Sequence, residues 1–235
     1  MTDLPAGDFA SWLVEIREAI EGEGTTDVPC GPCVACCSST QFVHIAPDER
    51  DALAHIPTAL LFPAPRMTRG HVLMGYDEHG RCPMLSDSGC SIYEHRPRTC
   101  RTYDCRVFPA AGVLPDEPDK VMIAEQAARW RFTVDGAAAI EAAAAVRAAA
   151  VFLRDRRTEL GESAPHTSTQ LAVAAVRAHD LFINNEPPVP EVQLRLTRRR
   201  QEEPSQPTAV GCRGPLARWS QRQHDHLVVA NAVPA

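Results

Sequence analysis

Cysteines are the residues of this sequence best suited to chemistry, because eight of the nine lie between positions 30 and 105. The first four form one run, Cys30-Gly31-Pro32-Cys33-Val34-Ala35-Cys36-Cys37. The other four are Cys82, Cys90, Cys100 and Cys105. Packing of a hydrophobic core does not require thiols at this density. We therefore predict that this segment folds around one or two metal centres bound by cysteine thiolates.

The spacing inside the first run favours chelation. Two residues between cysteines let one turn present both sulfurs to the same metal, and the unit occurs twice, as Cys30-x2-Cys33 and Cys33-x2-Cys36. The three sulfurs resemble the first three ligands of a ferredoxin run, but Cys37 follows Cys36 directly, where a ferredoxin has a longer spacing. Adjacent side chains of an extended backbone point in opposite directions. We therefore expect Cys36 and Cys37 not to bind one ion in the same manner, so that one serves a second site or stays free.

The second set of cysteines must complete the coordination. Two zinc sites of four thiolates each fit the spacing as well as one iron–sulfur cluster with spare cysteines does. If the metal is iron, a four-iron, four-sulfur cluster is the form we expect. Five histidines of the segment could each replace a cysteine: His44, His55, His71, His79 and His95. Only His95, between Glu94 and Arg96, is singled out, because a lone histidine is more often a surface or hydrogen-bonded residue.

Several arginines lie close in sequence to the last two cysteines. They are Arg96, Arg98, Arg101 and Arg106. A centre of four thiolates around a divalent ion is negatively charged, so these arginines could compensate its charge. The alternative, equally weighted, is that they pair with Glu94, Asp104 or solvent.

Other function classes receive little support. The net charge is −6, with no broad basic face of the kind that nucleic-acid binding needs. No pairing of nucleophile and base, phosphate-binding glycine loop or adenosyl-cofactor motif is visible. The longest apolar run, around 142–153, contains Arg147 and is too short to cross a bilayer. No signal peptide is evident, so we expect a cytoplasmic protein without membrane contact, whose thiols stay reduced.

The sequence predicts an α+β fold: a small, irregular, cysteine-rich metal-binding domain with short strands, packed against a C-terminal helical hairpin. An amphipathic helix over 8–21, capped by Asp8, dominates the N-terminal part, residues 1–27. The metal-binding domain takes residues 28–135 and the hairpin 136–186. Residues 187–235, which include the isolated Cys212, are expected to be a largely disordered tail.

Local patterns predict the remaining elements. Strands are expected over 41–45 and 71–76, and a further strand within 121–134. Helices are expected over 46–56, 137–160 and 168–183. We expect residues 106–120, which contain three prolines, to form a loop, Pro187-Pro188-Val189-Pro190 to be a linker, and Gln193–Thr197 to be an edge strand.

Three segments together carry a family resemblance. They are the run at 30–37, then Gly80-Arg81-Cys82-Pro83-Met84-Leu85, then Cys90-Ser91-Ile92-Tyr93-Glu94-His95-Arg96-Pro97-Arg98-Thr99-Cys100-Arg101-x2-Asp104-Cys105. The pattern resembles the CxxCxxCC cysteine-cluster family, the YkgJ-type zinc- or iron-chelating domain, over roughly residues 28–110. The resemblance implies that all eight cysteines bind metal. Some relatives are called iron–sulfur oxidoreductases, and one branch, the flagellin lysine N-methylases, modifies a protein with adenosylmethionine.

Three functions remain open at the level of sequence. The first is a metal-binding protein that holds zinc or an iron–sulfur cluster and transfers electrons or assists a protein-modifying enzyme. The second is an adenosylmethionine-dependent lysine N-methylase acting on a protein substrate, although no motif supports binding of that cofactor. The third is a structural zinc module that contacts a protein or, less favoured by the charge, a nucleic acid.

Overall fold

The computed structural model of the chain describes residues 2–26 and 28–197. It has the mixed α+β character that the sequence predicts, with many helices and a few short strands. The strands and helices of the first half are, in order, β1 (Leu4–Asp8), α1 (Phe9–Glu21), β2 (Val43–Ile45), α2 (Arg50–His55), β3 (Leu61–Pro63), β4 (Val72–Met74), β5 (Leu85–Ser86), β6 (Gly89–Cys90) and α3 (Arg98–Arg101). Those of the second half are α4 (Val107–Ala111), α5 (Val121–Ala127), β7 (Trp130–Thr133), α6 (Ala137–Asp155), α7 (Arg157–Leu160), α8 (Ser168–Ala178) and α9 (Val189–Thr197). Single turns of 3₁₀ helix occupy Ala35–Ser38, Thr58–Leu60, Tyr93–His95, Pro118–Lys120, Gly161–Ser163 and His179–Phe182.

Helix α1 forms where its sequence pattern predicts. The Asp8 carboxylate accepts a hydrogen bond of 2.8 Å from the Ser11 amide and so caps the first turn. Apolar residues at helical spacing, from Phe9 to Ile16, are buried against the main core. Gly22 ends the helix in the left-handed conformation, with φ +80°.

A parallel pair of strands precedes and follows the cysteine-rich segment. Strand β1 pairs with β7, Leu4 lying opposite Trp130 and Asp8 opposite Thr133. The sequence analysis did not predict β1, because Pro5 and Gly7 are residue types depleted in strands. A two-stranded pair consists only of edges, and an edge strand tolerates proline. The pair holds the N-terminus beside the end of the cysteine-rich segment.

Alanine-rich helices form the main core. Helix α6 packs against α8 and the turn at His179–Phe182, while α4 and α1 pack against both helices. Fully buried alanines such as Ala149, Ala172 and Ala175 let the helix backbones approach closely. The predicted hairpin is therefore seen as α6 and α8, although α6 ends at Asp155 and α7 follows as a separate turn.

The cysteine-rich segment contains only small sheets and a small core of its own. Strand β4 lies between β2 and β3 in an antiparallel sheet, and β5 pairs with β6 in a hairpin. The buried residues beneath them are Ile45, Ala52, Ile56, Met74 and Ile92. Cys82 and Cys90 pack against this cluster.

The loop predicted for residues 106–120 is wrong in part, whereas the strand predicted within 121–134 is confirmed. The expected loop contains helix α4, whose Val107 and Phe108 are almost fully buried in the main core. Pro109 stands in the first turn of that helix, where it displaces no helical hydrogen bond. Residues 121–127 form helix α5 and only Trp130–Thr133 form the expected strand.

The predicted edge strand at 193–197 is also wrong. Val189–Thr197 form helix α9, which buries Val192 and Leu196, and the supposed linker supplies its first residues. Tertiary burial thus outweighs the strand propensity of a short segment. The rest of the predicted disordered tail, including Cys212, lies outside the described residues. Within the described part, no helix combines the length and apolarity needed to span a bilayer.

Candidate metal centre

The first cysteine run is folded into two consecutive tight turns. Gly31 adopts φ +54°, and the Cys33 amide donates to the Cys30 carbonyl at 3.0 Å. The 3₁₀ turn at Ala35–Ser38 follows, with the Cys37 amide donating to the Val34 carbonyl at 2.9 Å. Ala35 is buried in the main core and anchors the run there.

Backbone contacts bring the second cysteine set to the first. The Cys82 amide donates to the Cys37 carbonyl at 2.7 Å, which joins two cysteines 45 positions apart. Cys90 lies opposite Leu85 in the β5–β6 hairpin. Cys100 is carried by the short helix α3, and its amide donates to the Pro97 carbonyl at 2.9 Å. Cys105, just before α4, is buried in the main core.

The electrostatic neighbours of each thiol divide the cysteines into two groups. The hairpin group consists of Cys37, Cys82, Cys90 and Cys100. Burial, together with the charges on Cys82, Cys36 and Cys90, raises the pKa of Cys100 to about 12. Burial raises the pKa of Cys82, and the nearby charges of Cys90 and Cys36 raise it further.

The core group consists of Cys30, Cys33 and Cys105. Burial raises the pKa of Cys30 to about 11, with contributions from Cys36 and Cys33. Burial likewise raises the pKa of Cys105 to about 12, with contributions from Cys30 and Cys33. Cys36 is thus a neighbour of both groups.

Cys36 and Cys37 are in contact with each other. A hydrogen bond from the Cys37 thiol lowers the pKa of Cys36 to about 7, and the same bond raises the pKa of Cys37. The expectation that the two side chains point apart is wrong, because it assumed an extended backbone and this segment is a 3₁₀ turn. Cys36 is exposed, and the Arg96 charge also favours its thiolate.

Arg96 and Arg98, two of the four arginines near the last cysteines, take different roles. Arg96 lowers the pKa of both Cys36 and Cys100, so it compensates thiolate charge. Its guanidinium is held 3.5 Å above the Tyr93 ring. Arg98 instead pairs with Asp48 at 2.7 Å.

Arg106 takes part in a buried network beside the core group. It pairs with Asp104 at 2.8 Å and donates to the Ala6 carbonyl at 3.0 Å, so it ties β1 to the cysteines. The Trp12 indole N–H donates to the same Asp104 oxygen, Oδ2, at 2.9 Å. Arg106 also acts to lower the pKa of Cys30.

A tryptophan donates directly to a sulfur. The indole Nε1–H of Trp130 lies 3.1 Å from Cys105 Sγ, and both residues are buried. No sequence signal connects two residues that stand 25 positions apart, so this contact was not predictable. An N–H donor to sulfur is the kind of contact that stabilises a metal-bound thiolate.

The donor set fits a thiolate-bound metal. The eight cysteines of the described segment are all free thiols, arranged in two adjacent groups with a cation and an N–H donor beside them. A tetrahedral zinc ion with Zn–S bonds of about 2.3 Å holds its sulfurs about 3.8 Å apart. Within the described residues, no three cysteine sulfurs all lie within 4.8 Å of one another. In each trio, at least one pair of sulfurs therefore lies further apart than a single zinc ion would hold it.

His95, the one histidine singled out from the sequence, lies beside Asp51 and stacks on His55. His44 pairs with His71, and His79 with Glu78. A surface groove of about 770 Å³ is lined by residues of the helical part, among them Phe152, Phe182 and Glu186. No cysteine lines that groove.

Comparison with known proteins identifies the cysteine-rich segment. Residues 29–127 match the CxxCxxCC family, described as "Putative zinc- or iron-chelating domain". Neither the curated proteins nor the solved structures contain a match to the chain. The match covers both cysteine groups and extends to the end of α5. Residues 29–127 of this chain are thus similar to the CxxCxxCC family of zinc- or iron-chelating domains.

Proposed function

We propose that this protein binds metal through its clustered cysteines, all eight of which are candidate ligands, and that the bound form is one or more iron–sulfur clusters used in electron transfer. The observation that carries the proposal is the arrangement of eight free thiols in two adjacent groups that share Cys36 as a neighbour. Four cysteine thiolates are the usual ligand set of a cubane cluster.

The wide spacing of the sulfurs supports a cluster. A cluster carries its cysteine ligands at the corners of a core of several atoms, so it holds them further apart than one zinc ion does. In every trio of cysteine sulfurs of the described residues, at least one separation exceeds 4.8 Å and so is longer than the tetrahedral zinc spacing. The Trp130 donor to Cys105 supports the same assignment, because N–H bonds to cluster sulfurs tune the reduction potential.

Exposure of one cysteine supports a role in electron transfer. Cys36 is exposed, while Cys105 is buried against the main core. A cluster held between the two would be shielded on one side and reachable on the other. A redox partner could then approach close to the metal without displacing a ligand.

The test is elemental analysis, sulfide analysis and a visible spectrum of the protein purified without oxygen. We expect iron and acid-labile sulfide, and visible absorption that bleaches on reduction. A colourless protein that contains zinc would confirm metal binding but refute the proposed cluster and its redox role, because zinc has a filled d shell. Absence of both metals, with all thiols free to react, would overturn metal binding itself.

A further inference from the structure

A second group of metal-ligating side chains lies at a separate place on the surface. Asp51, His55 and His95 each offer one ligand atom, and these three atoms all lie within 4.8 Å of one another. Within residues 2–26 and 28–197, no other trio of histidine, cysteine or acidic side chains meets that limit. None of the three residues belongs to the cysteine groups.

The trio is held by two elements that pack on one small core. Asp51 and His55 stand four positions apart on α2, so both face the same side of that helix. His95 belongs to the 3₁₀ turn at Tyr93–His95, which contacts α2. Ala52 and Ile92, from the two elements, are buried together beneath the site. The backbone positions of all three side chains are therefore fixed by packing.

Contacts among the three side chains already orient them. His95 Nδ1 lies 2.9 Å from one Asp51 carboxylate oxygen, and His55 Nδ1 lies 2.9 Å from the Asp51 carbonyl and 3.6 Å from the other carboxylate oxygen. The two imidazole rings are stacked, with centroids 3.5 Å apart and planes 4° from parallel. Two imidazoles and a carboxylate thus converge on a common space.

We propose that Asp51, His55 and His95 form a binding site for one divalent transition-metal ion of the zinc class, separate from the cysteine centre. Two imidazole nitrogens and one carboxylate oxygen form a ligand set typical of catalytic zinc and related ions, which leaves the remaining positions to water. The side chains are between 39% and 69% exposed, so solvent can reach the ion. The Asp51 charge offsets part of the charge of the ion.

Binding requires a small rearrangement of the rings. A metal lies close to the plane of each imidazole that binds it, and parallel stacked rings do not share such a plane. The rings must therefore rotate out of the stack, and their exposure leaves room for that rotation. The backbone of α2 and of the turn need not move.

The test counts zinc on the full chain with its cysteine centre loaded and its metal content measured beforehand. Zn²⁺ is then added in equilibrium dialysis, to the wild type and to His55→Ala, His95→Ala and Asp51→Asn variants. We expect the wild type to bind one further Zn²⁺ per chain, and each variant to bind it at least about tenfold more weakly. His79→Ala is the matched control, because His79 is an exposed histidine outside the trio whose side chain pairs with Glu78.

A second measurement, the absorption spectrum of bound Co²⁺, distinguishes this site from the cysteine centre. Nitrogen and oxygen ligands should give weak visible bands, without the strong near-ultraviolet bands of cobalt–thiolate bonds. An additional ion bound equally by the wild type and the His95→Ala variant would overturn the proposal, as would no additional ion in the wild type. Unchanged helical content and unchanged metal in the cysteine centre confirm that each variant is folded. The outcome does not depend on which metal the cysteines hold.

Discussion

Sulfur atoms of this domain differ sharply in their surroundings, although all belong to the same residue type. Cys105 is buried, accepts an indole N–H and has its pKa raised to about 12 by burial, whereas Cys36 is exposed and its pKa is lowered to about 7. A thiolate must form before it binds metal. Cys36 is therefore the thiol already prepared to bind, while Cys105 must lose its proton to the incoming metal.

Trp130→Phe should weaken metal binding without unfolding the protein. The substitution keeps an aromatic ring in the core but removes the N–H that lies 3.1 Å from Cys105 Sγ. We expect a loss of about tenfold in metal affinity, measured by competition with a chelator. If a cluster is bound, its reduction potential should fall, because an N–H bond to sulfur stabilises the reduced form.

Trp12→Phe is the matched control for that variant. Trp12 is equally buried, but its indole donates to Asp104 and not to a sulfur. Its loss should lower the free energy of unfolding while the metal affinity changes less. Equal loss of metal affinity in both variants would mean that packing, and not the bond to sulfur, is responsible.

Cys33→Ser should remove most of the bound metal and destabilise the fold. Cys33 belongs to both chelating units of the first run, so its loss leaves each unit with one sulfur. Cys212→Ser is the control, since Cys212 stands apart from the eight clustered cysteines and should affect neither metal content nor stability. The measurement is metal per chain after purification without oxygen; an unchanged metal load in Cys33→Ser would count against the ligand assignment.

At the scale of the elements, the Glu117 carboxylate connects the segment before α5 to the first turn of helix α8. Glu117 accepts hydrogen bonds from the Ser168 hydroxyl at 2.6 Å and the Ser168 amide at 2.9 Å, at the first turn of α8. It also pairs with Lys120 at 3.2 Å. Burial acts to raise the pKa of Glu117, but the bonds from Ser168 prevail and lower it to about 2.

Glu117→Gln should destabilise the junction of α8 by about 1–2 kcal/mol at neutral pH, since it weakens charge-assisted hydrogen bonds. The pKa of Glu117 is lowered on folding, so its contribution is complete above its ordinary pKa of 4.5 and is lost as pH falls towards 2. Urea unfolding at several pH values should show the gap between wild type and variant closing over that interval. The exposed Glu141, replaced by Gln, should give no such gap; a gap that does not depend on pH would refute the electrostatic explanation.

Element formation was predictable where local patterns and local caps agree. Helix α1 follows its apolar spacing and the Asp8 cap, and α8 begins at Ser168, as predicted, after a turn capped by the Thr167 hydroxyl. Helix α4 was missed because burial of Phe108 against α8, not its proline-containing sequence, makes it helical. Strand β1 exists only because β7 lies beside it.

The candidate sites were likewise predictable only in part from the sequence. The ligand set was visible because eight cysteines in a short segment are unusual whatever their positions in space. The division of these cysteines into two groups was not predictable, because it depends on contacts such as Cys82 to Cys37 across 45 positions. The pairing of Asp51 with His95, 44 positions apart, likewise has no local signal.

At the scale of the whole molecule, the cysteine-rich segment has only a small hydrophobic core of its own, whereas the helices form the large main core. The sheets of the cysteine-rich segment enclose only a small buried cluster, whereas Ala35 and Cys105 extend into the main core beside the helices. Removal of metal should therefore loosen the small sheets first and leave the helical core more intact. Hydrogen exchange on metal-free and metal-loaded protein should show the larger loss of protection at β2–β6, and uniform loss across α6 and α8 would contradict this.

The response of the whole fold to alkali should depend on whether metal is bound. Burial raises the pKa of Cys30 to about 11 and those of Cys100 and Cys105 to about 12, from an ordinary value of 9.0. Between these values the unfolded metal-free chain has lost thiol protons that the folded chain still holds, so stability falls as pH rises through 9 towards 12. Bound metal has already displaced those protons, and the loaded protein should lack this loss.

Thermal unfolding under reducing, oxygen-free conditions from pH 7 to 10 would measure the difference. We expect the Tm of the metal-free protein to drop more steeply above pH 9 than that of the loaded protein, and metal affinity to rise with pH over the same interval. Parallel Tm curves would mean that the eight thiols do not give up their protons to the metal, and the centre would then have to be sought elsewhere in the chain.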